Sequence, residues 1–477
     1  MTVLTRPTEL CFLSLRALTT LIRAREVSAR EVMTAQLEQI RRWNPKLTAI
    51  VAKLDDESCL RLADAADAHL ARGGAPGRLH GVPWAFKDLE PAIGFPWSRG
   101  STIFRDEMPA SDSVLVERLR HAGVVPIGKT NTPEFGMGAQ SYNDVYGTTR
   151  NPYDLTKTAG GSSGGGAAAV ACGMLTAADG SDLGGSLRNP ASFNNIVGLR
   201  PSVGLVPLTP TVLPFYGLLV KGPMARSVSD VAYLLDVMVG ADHRDPASLH
   251  SSQGRFTGSL HRDFRGTRIA WCPDLGRLPL DRRVRDVIAS QRHVFESLGC
   301  ITEEIAPDLS AAEEVFLTLR AFRSWIMMGP LLEEHRAKMK PEAVEEIEAG
   351  GKLSSAQIAS ALLRQGEIME SIRTFYDNYE FIVCAATQAP PFDAACHWPA
   401  EVDGQTMEHY VAWMRSLYWI TATSHPAVVV PAGFTPDGLP VGIQIVGGYR
   451  DDWGTLQLAH AFEQATQFAQ RRPAGLI

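Results

Sequence analysis

Residues 158–190 read TAGGSSGGGAAAVACGMLTAADGSDLGGSLRNP, two glycine and serine clusters joined by a run of small apolar residues. A flexible Gly/Ser linker would be solvated and would lack a packed face. The interior of the stretch contradicts that reading. Ala167, Ala168, Ala169, Val170, Ala171 and Cys172 are small and mostly good helix formers, so the chain after Gly166 reads as a helix that lets neighbouring backbone approach closely. The sharper reading is a catalytic platform, in which glycines allow close approach of a substrate while serine hydroxyls and backbone N–H groups supply the chemistry. Ser162, Ser163, Ser181 and Ser186 are then the candidates.

Two overlapping G-x-S-x-G patterns, centred on Ser162 and Ser163, match the nucleophile elbow of α/β-hydrolases. That motif requires a hydrophobic strand running directly into it. Here the approach is NPYDLTKTA, with Pro152, Asp154 and Lys157, which is poor strand material. The elbow is the weaker reading.

GGSSGGGAAAVA followed by GSDLGGSLRNP resembles the signature region of the amidase signature hydrolases, which use a Ser-Ser-Lys triad. Ser162 and Ser186 lie 24 positions apart, the offset expected of that family. The family also has a lysine upstream within an apolar strand, and GVPWAFKDL over 81–89 is similar to that motif, which gives Lys87 the role. The resemblance continues through DSVLVERLRHAGVVPIGKTNTPEFG, VGLRPSVGLVP, KGPMARSVSDVAYLLD and PAVVVPAGFTPDGLPVGIQIVG, and is least from about Arg244 to Thr423.

The resemblance implies that Ser186 is the nucleophile and that backbone N–H groups of Leu183, Gly184, Gly185 and Ser186 form an oxyanion hole. It implies that Ser162 passes a proton between Ser186 and a neutral Lys87, and that the peptide from Gly161 to Ser162 is cis. Burial among Val82, Trp84 and Phe86 would lower the lysine pKa, with Asp88 pulling the other way unless its side chain faces elsewhere. Ser163, Asp182 and Arg188 are read as supporting residues. Taken alone, Lys87 would read as half of a salt bridge and each serine as a turn or helix cap; their combination favours the triad. An α/β-hydrolase triad would need a histidine instead. His397, His409 and His425 are available, but nothing around them forms a catalytic motif.

Hydrophobic content of 45% and charged content of 21% suit a large globular core, and a net charge of −6 gives no basic footprint for nucleic acid or an anionic membrane. The seven cysteines show no C-x-x-C pair and no metal-ligand spacing, so they read as reduced, buried thiols in a cytoplasmic protein, with no metal and no cofactor expected. Leu10 to Ile22 is apolar but interrupted by Arg16, and reads as an amphipathic helix rather than a signal peptide. No stretch is expected to reach the apolar length that crosses a bilayer.

Helical patterns alternate with apolar runs at Val82 to Phe86, Val124 to Ile127, Ile196 to Leu199, Ile269 to Cys272, Phe381 to Ala385, Val428 to Val430 and Val441 to Val446. The expected class is α/β; by resemblance, an amidase signature fold with a central mixed twisted sheet covered by helices on both faces. We expect a single domain over 1–477, with a helical segment at 1–72 packed on the core, its Ser28 and Glu31 forming a capping box. Residues 310–380 read as a helical insert broken at GPLL and GGK, shaping the pocket.

The substrate pocket is expected near Gly136 and Met137, with walls from the 213–220 loop and the insert. Apolar Leu213, Phe215, Tyr216, Leu218 and Leu219 favour a neutral, partly hydrophobic small amide. An aryl carbamate or ester suits the same nucleophile. A further rival is the amidase subunit of a glutamine-dependent tRNA amidotransferase, but no acidic residue stands between Met414 and Pro426, where that subunit would carry an aspartate. A homodimer would be unsurprising, though no motif specifies one.

Overall fold

The computed structural model describes residues 7–251 and 254–474. Strands β1 (Ile50–Val51), β2 (Pro83–Lys87) and β3 (Val125–Thr130) form a small sheet whose central β3 runs antiparallel to β1 and parallel to β2. Eight further strands form the main sheet: β4 (Ala177–Asp182), β5 (Val197–Arg200), β6 (Val220–Ala225), β7 (Arg268–Trp271), β8 (Ile301–Glu304), β9 (Phe381–Ala385), β10 (Ala427–Phe434) and β11 (Pro440–Gly447). Their lateral order is β8-β7-β9-β11-β10-β5-β6-β4. The β8-β7-β9 pairings are parallel and the rest antiparallel, so the sheet is mixed.

Every β-branched run read as a strand is one. The reason is burial on both faces: Val428, Val429 and Val430 are all fully buried, and each such side chain contributes about 1.5–3 kcal/mol of hydrophobic stabilisation. Alternation then divides the core. Val428, Val430, Phe381 and Val383 pack with Leu234, Leu456 and Phe462 of helices Val228–Met238 and Asp452–Thr466. Ala427, Ile382 and Cys384 pack on the other face with Phe316 and Leu417 of helices Ala312–His335 and Arg415–Ala422.

Strand β4 has no such run. AADGSD is weak strand material, and it is held because all six residues pair with β6. It is flanked by α1 (Gly164–Ala171) and α2 (Arg188–Phe193), both buried throughout. The linker reading fails for the same reason. NPYDLTKTA forms no strand before Ser162, which removes the elbow.

At the front, helices Leu15–Ala24, Ala29–Leu47 and Asp56–Ala71 follow one another with β1 between the last two, and Ser28 and Glu31 make the capping box. The Leu15 N–H donates to Asp230 Oδ2 at 2.9 Å, tying this segment to the core. Between 310 and 380 lie α3 (Ala312–His335), α4 (Pro341–Gly351) and α5 (Ser355–Tyr376). GPLL does not break α3: Pro330 sits inside it, and the interruption comes after His335. One expectation is corrected here. Within residues 312–338 an 18-residue stretch of mean hydropathy 1.2 is long and apolar enough to cross a membrane by length and composition. Arg320 and Arg323 disguise the run in the sequence, and the helix packs against α4, α5 and helix Arg415–Ala422.

Candidate active site

Lys87 ends β2 and is completely buried. Its Nζ donates to Ser162 Oγ at 2.8 Å, Ser163 Oγ at 2.8 Å and Ser181 Oγ at 3.0 Å. Among the described residues no carboxylate oxygen lies within 4 Å of this nitrogen. Burial therefore dominates and pulls the lysine pKa down to about 7, against weaker opposing attraction from Asp179, Glu90 and Asp182. The source of burial differs from the sequence reading. Alternation along β2 sends Trp84 and Phe86, with Val82, into the main apolar cluster, while Lys87 faces the serine platform. Asp88 faces elsewhere: it accepts from Ser98 Oγ at 2.5 Å and lies 3.8 Å from Lys129.

Asp179 escaped notice in the sequence. It accepts the Lys87 backbone N–H at 3.1 Å and Trp84 Nε1–H at 2.9 Å, locking β2 against β4. Burial, with Glu90 nearby, pushes its carboxyl up to about 6, opposed by the Trp84 hydrogen bond. Ser181, one of the four candidate serines, joins Lys87 although the resemblance gave it no role.

The peptide from Gly161 to Ser162 is cis. The Ser163 N–H donates to the Ser186 carbonyl at 3.2 Å, bringing the two serine clusters together. No hydrogen bond joins the Ser162 and Ser186 hydroxyls among the described residues, but both serines border one cavity.

The turn carrying Ser186 is braced by Asp182. Burial alone would raise this carboxyl, yet Arg188 and Arg200 hold it well below the usual carboxylate range. Arg188 binds it through Nε at 3.0 Å and Nη2 at 2.9 Å, a two-pronged contact that fixes orientation. Asp182 also accepts the N–H groups of Gly185 at 3.0 Å and Leu187 at 3.2 Å. The assignment of Gly185 N–H to an oxyanion hole is thereby corrected, because that donor is already taken. The glycine serves conformation instead: its φ is +113°, and a Cβ there would lie 2.5 Å from Leu417. Leu183, Gly184 and Ser186 keep N–H groups with no protein acceptor among the described residues.

The cavity above these residues measures about 380 Å³ and is bordered by Ser162, Ser181, Ser186, Leu183 and Gly136. A recess of about 50 Å³ adjoins it, reaching Met137, Gly184, Phe316 and Tyr418 and again touching Ser186. Of the loop residues expected as walls, Leu219 borders the cavity, preceded by Pro210, Thr211 and Val212, whereas Phe215 is 77% exposed and Leu218 is core. Met327 and Met328 of α3 complete the apolar side, while Glu90, Lys221, Arg99 and Arg323 make the wall less neutral than the loop suggested. A larger crevice of about 530 Å³ near Phe12, Tyr153 and Arg226 contains none of the serines or Lys87.

No histidine named above borders the cavity. His425 Nδ1 is bonded to the Thr423 carbonyl, and burial lowers its pKa to about 4. His397 pairs with Glu342, and His409 lies 3.8 Å from Glu313. No group of three His, Cys, Asp or Glu side chains is placed to hold a metal ion among the described residues.

A model of the amidase family matches residues 31–456. An acylamidase of Rhodococcus erythropolis is 33% identical over 469 residues, 98% of each chain. A glutamyl-tRNA(Gln) amidotransferase subunit of Carboxydothermus hydrogenoformans is 34% identical over 491 residues, 98% of this chain and 99% of that one. The crystal structure of a bacterial aryl acylamidase described as an amidase signature enzyme, 28% identical, superposes with a TM-score of 0.90 over 96% of this chain and 98% of that one.

Proposed function

We propose, from the premise that this chain belongs to the amidase signature family and is an amide hydrolase, that it cleaves a small, partly hydrophobic amide through an acyl-enzyme on Ser186. The observation that carries this reading is the fully buried Lys87 amine, 2.8 Å from Ser162 Oγ and without a carboxylate partner among the described residues. A lysine so placed can be neutral near pH 7, which is what a general base requires.

An amide carbonyl is a weak electrophile, so attack needs an activated hydroxyl and a receptor for the developing anion. Ser186 Oγ attacks the carbonyl carbon while its proton passes to Ser162 Oγ, whose own proton passes to Lys87 Nζ. Hydrogen bonds of this kind are commonly long before substrate binds and tighten in the complex. The N–H groups of Leu183, Gly184 and Ser186 receive the tetrahedral oxyanion. The proton then returns through Ser162 to the amine, which leaves, and water repeats the sequence on the ester to release the acid. Ser163 and Ser181 hold the lysine amine in place; Asp182 and Arg188 hold the turn.

The whole chain acts as one domain in this proposal, with 310–380 forming one wall of the pocket around Gly136 and Met137. A free-standing hydrolase fits better than an amidotransferase subunit, because Met414 to Pro426 offers no acid for a glutamine amino group. Six of the seven cysteines are buried, which supports a cytoplasmic setting; Cys396 is exposed, contrary to expectation.

The test is release of 4-nitroaniline from an acyl anilide and of 4-nitrophenol from an aryl carbamate, with glutamine scored by ammonia. Ser186→Ala, shown to be folded by circular dichroism, should lose at least about 10⁴-fold in kcat/KM. Equal rates in the two proteins would remove Ser186 from the mechanism, and cleavage of glutamine alone would favour the amidotransferase reading.

A further inference from the structure

The walls beside Ser186 carry one cation that, among the described residues, the protein does not neutralise. Arg323, on α3, borders both the main cavity and the recess, as Ser186 does. The other ionic side chains of these walls are paired. Glu90 accepts from Lys221 at 2.7 Å. Arg99 is bonded to Glu107 and lies over the rings of Trp97 and Phe104 at 3.8 and 3.9 Å. Arg320 takes Glu346 at 2.8 Å.

Arg323 has no such partner: among the described residues it finds no hydrogen-bond acceptor and no carboxylate oxygen within 4 Å. Its guanidinium lies 5.7 Å from the centre of the Tyr216 ring. Glu346 is the nearby carboxylate, and it is committed to Arg320, Ser324 and Tyr410. Two guanidiniums share one negative charge. A guanidinium does not shed its proton in a protein, so a half-buried, unpaired one is costly unless something else supplies the anion.

We propose that this anion is a carboxylate of the substrate: the amide cleaved at Ser186 bears an acidic group that Arg323 receives through its planar fork, while Leu89, Trp97, Phe104 and Leu331 accommodate the apolar remainder. The inference rests on Ser186 as the site of cleavage and narrows the substrate class of that site.

The test compares each acid with its neutral primary-amide counterpart. Glutaryl-4-nitroanilide places the carboxylate on the acyl side, and N-butyryl-4-aminobenzoate places it on the amine side. In one of these pairs the wild-type enzyme should favour the acid at least about tenfold in kcat/KM, with the preference shrinking as salt is added. In Arg323→Gln the acid-to-neutral ratio should collapse to about one, and in Arg323→Lys it should recover in part. Because the ratio is taken within each enzyme, a general loss of activity cancels. No preference in either wild-type pair, or a preference that survives Arg323→Gln, overturns the proposal while leaving the hydrolase reading standing. Cleavage that persists in Ser186→Ala removes the hydrolase reading and this proposal with it; should neither anilide be cleaved at all, the preference is read from binding. Calorimetric binding of the glutaryl anilide and its neutral counterpart to Ser186→Ala then decides: tighter binding of the acid that Arg323→Gln abolishes sustains the proposal, and equal binding ends it.

Discussion

Between Thr158 and Pro190, Leu183 and Gly184 alone escape full burial, whereas α5, which packs against the wall helix α3 and borders neither cavity, buries Ala361, Ile368 and Ile372 out of 22 residues. The floor of the cavity is enclosed from every side, with glycine, alanine and serine where bulk would be fatal. The insert behind the cavity wall is built of long helices anchored along one stripe, and α5 carries large side chains such as Leu363, 72% exposed, on its free face. On the proposed mechanism, chemistry is placed where backbone and packing leave no freedom, beside an insert whose outer helix can change a side chain without disturbing the core.

The contrast breaks first at Lys87. Its replacement by alanine should cost about 10³-fold in rate, the range of a lost general base. In the wild type, kcat/KM should rise with pH through about 7, because below that value the amine is protonated and has no lone pair for the Ser162 proton. A Lys87→Ala enzyme with the wild-type rate and the same pH profile would place the base elsewhere.

A gentler probe sets one glycine of the floor against one of the outer helix α5. Gly185→Ala puts a methyl 2.5 Å from Leu417 at a φ of +113°, and should lower stability by about 2 kcal/mol in chemical denaturation, with activity falling alongside. Gly366 lies within α5 with nothing within 4 Å of an added Cβ. Gly366→Ala should therefore raise stability by about 0.5–1 kcal/mol, the helix-propensity difference, and spare activity. If the two variants melt alike, the distinction between an enclosed floor and an open outer helix is lost.

The helices and the β-branched strands could be read from the sequence because each signal is local. Phe381–Ala385 is a strand by composition alone, and Ser28 with Glu31 announces a cap within four residues. What escaped is set by distant partners. AADGSD becomes a strand only because β6 pairs with it, and Asp179 meets Lys87 from 92 positions away. Gly185 reads as an oxyanion donor until Asp182 is found holding its N–H. The serines and Lys87 were nameable from a recognisable motif, while Arg323 sits in the part of the chain where the motif is silent.

Arg188 reaches beyond its own turn, donating to the Leu417 carbonyl and to Gln444 Oε1, 229 and 256 positions further along the chain. A ribosome therefore finishes Ser162, Lys87 and Ser186 long before it has made the acceptors that orient the neighbouring guanidinium. A nascent or truncated chain can carry every residue of the proposed triad and still lack the brace beside Ser186. Competence arrives late, with the strand that supplies Gln444.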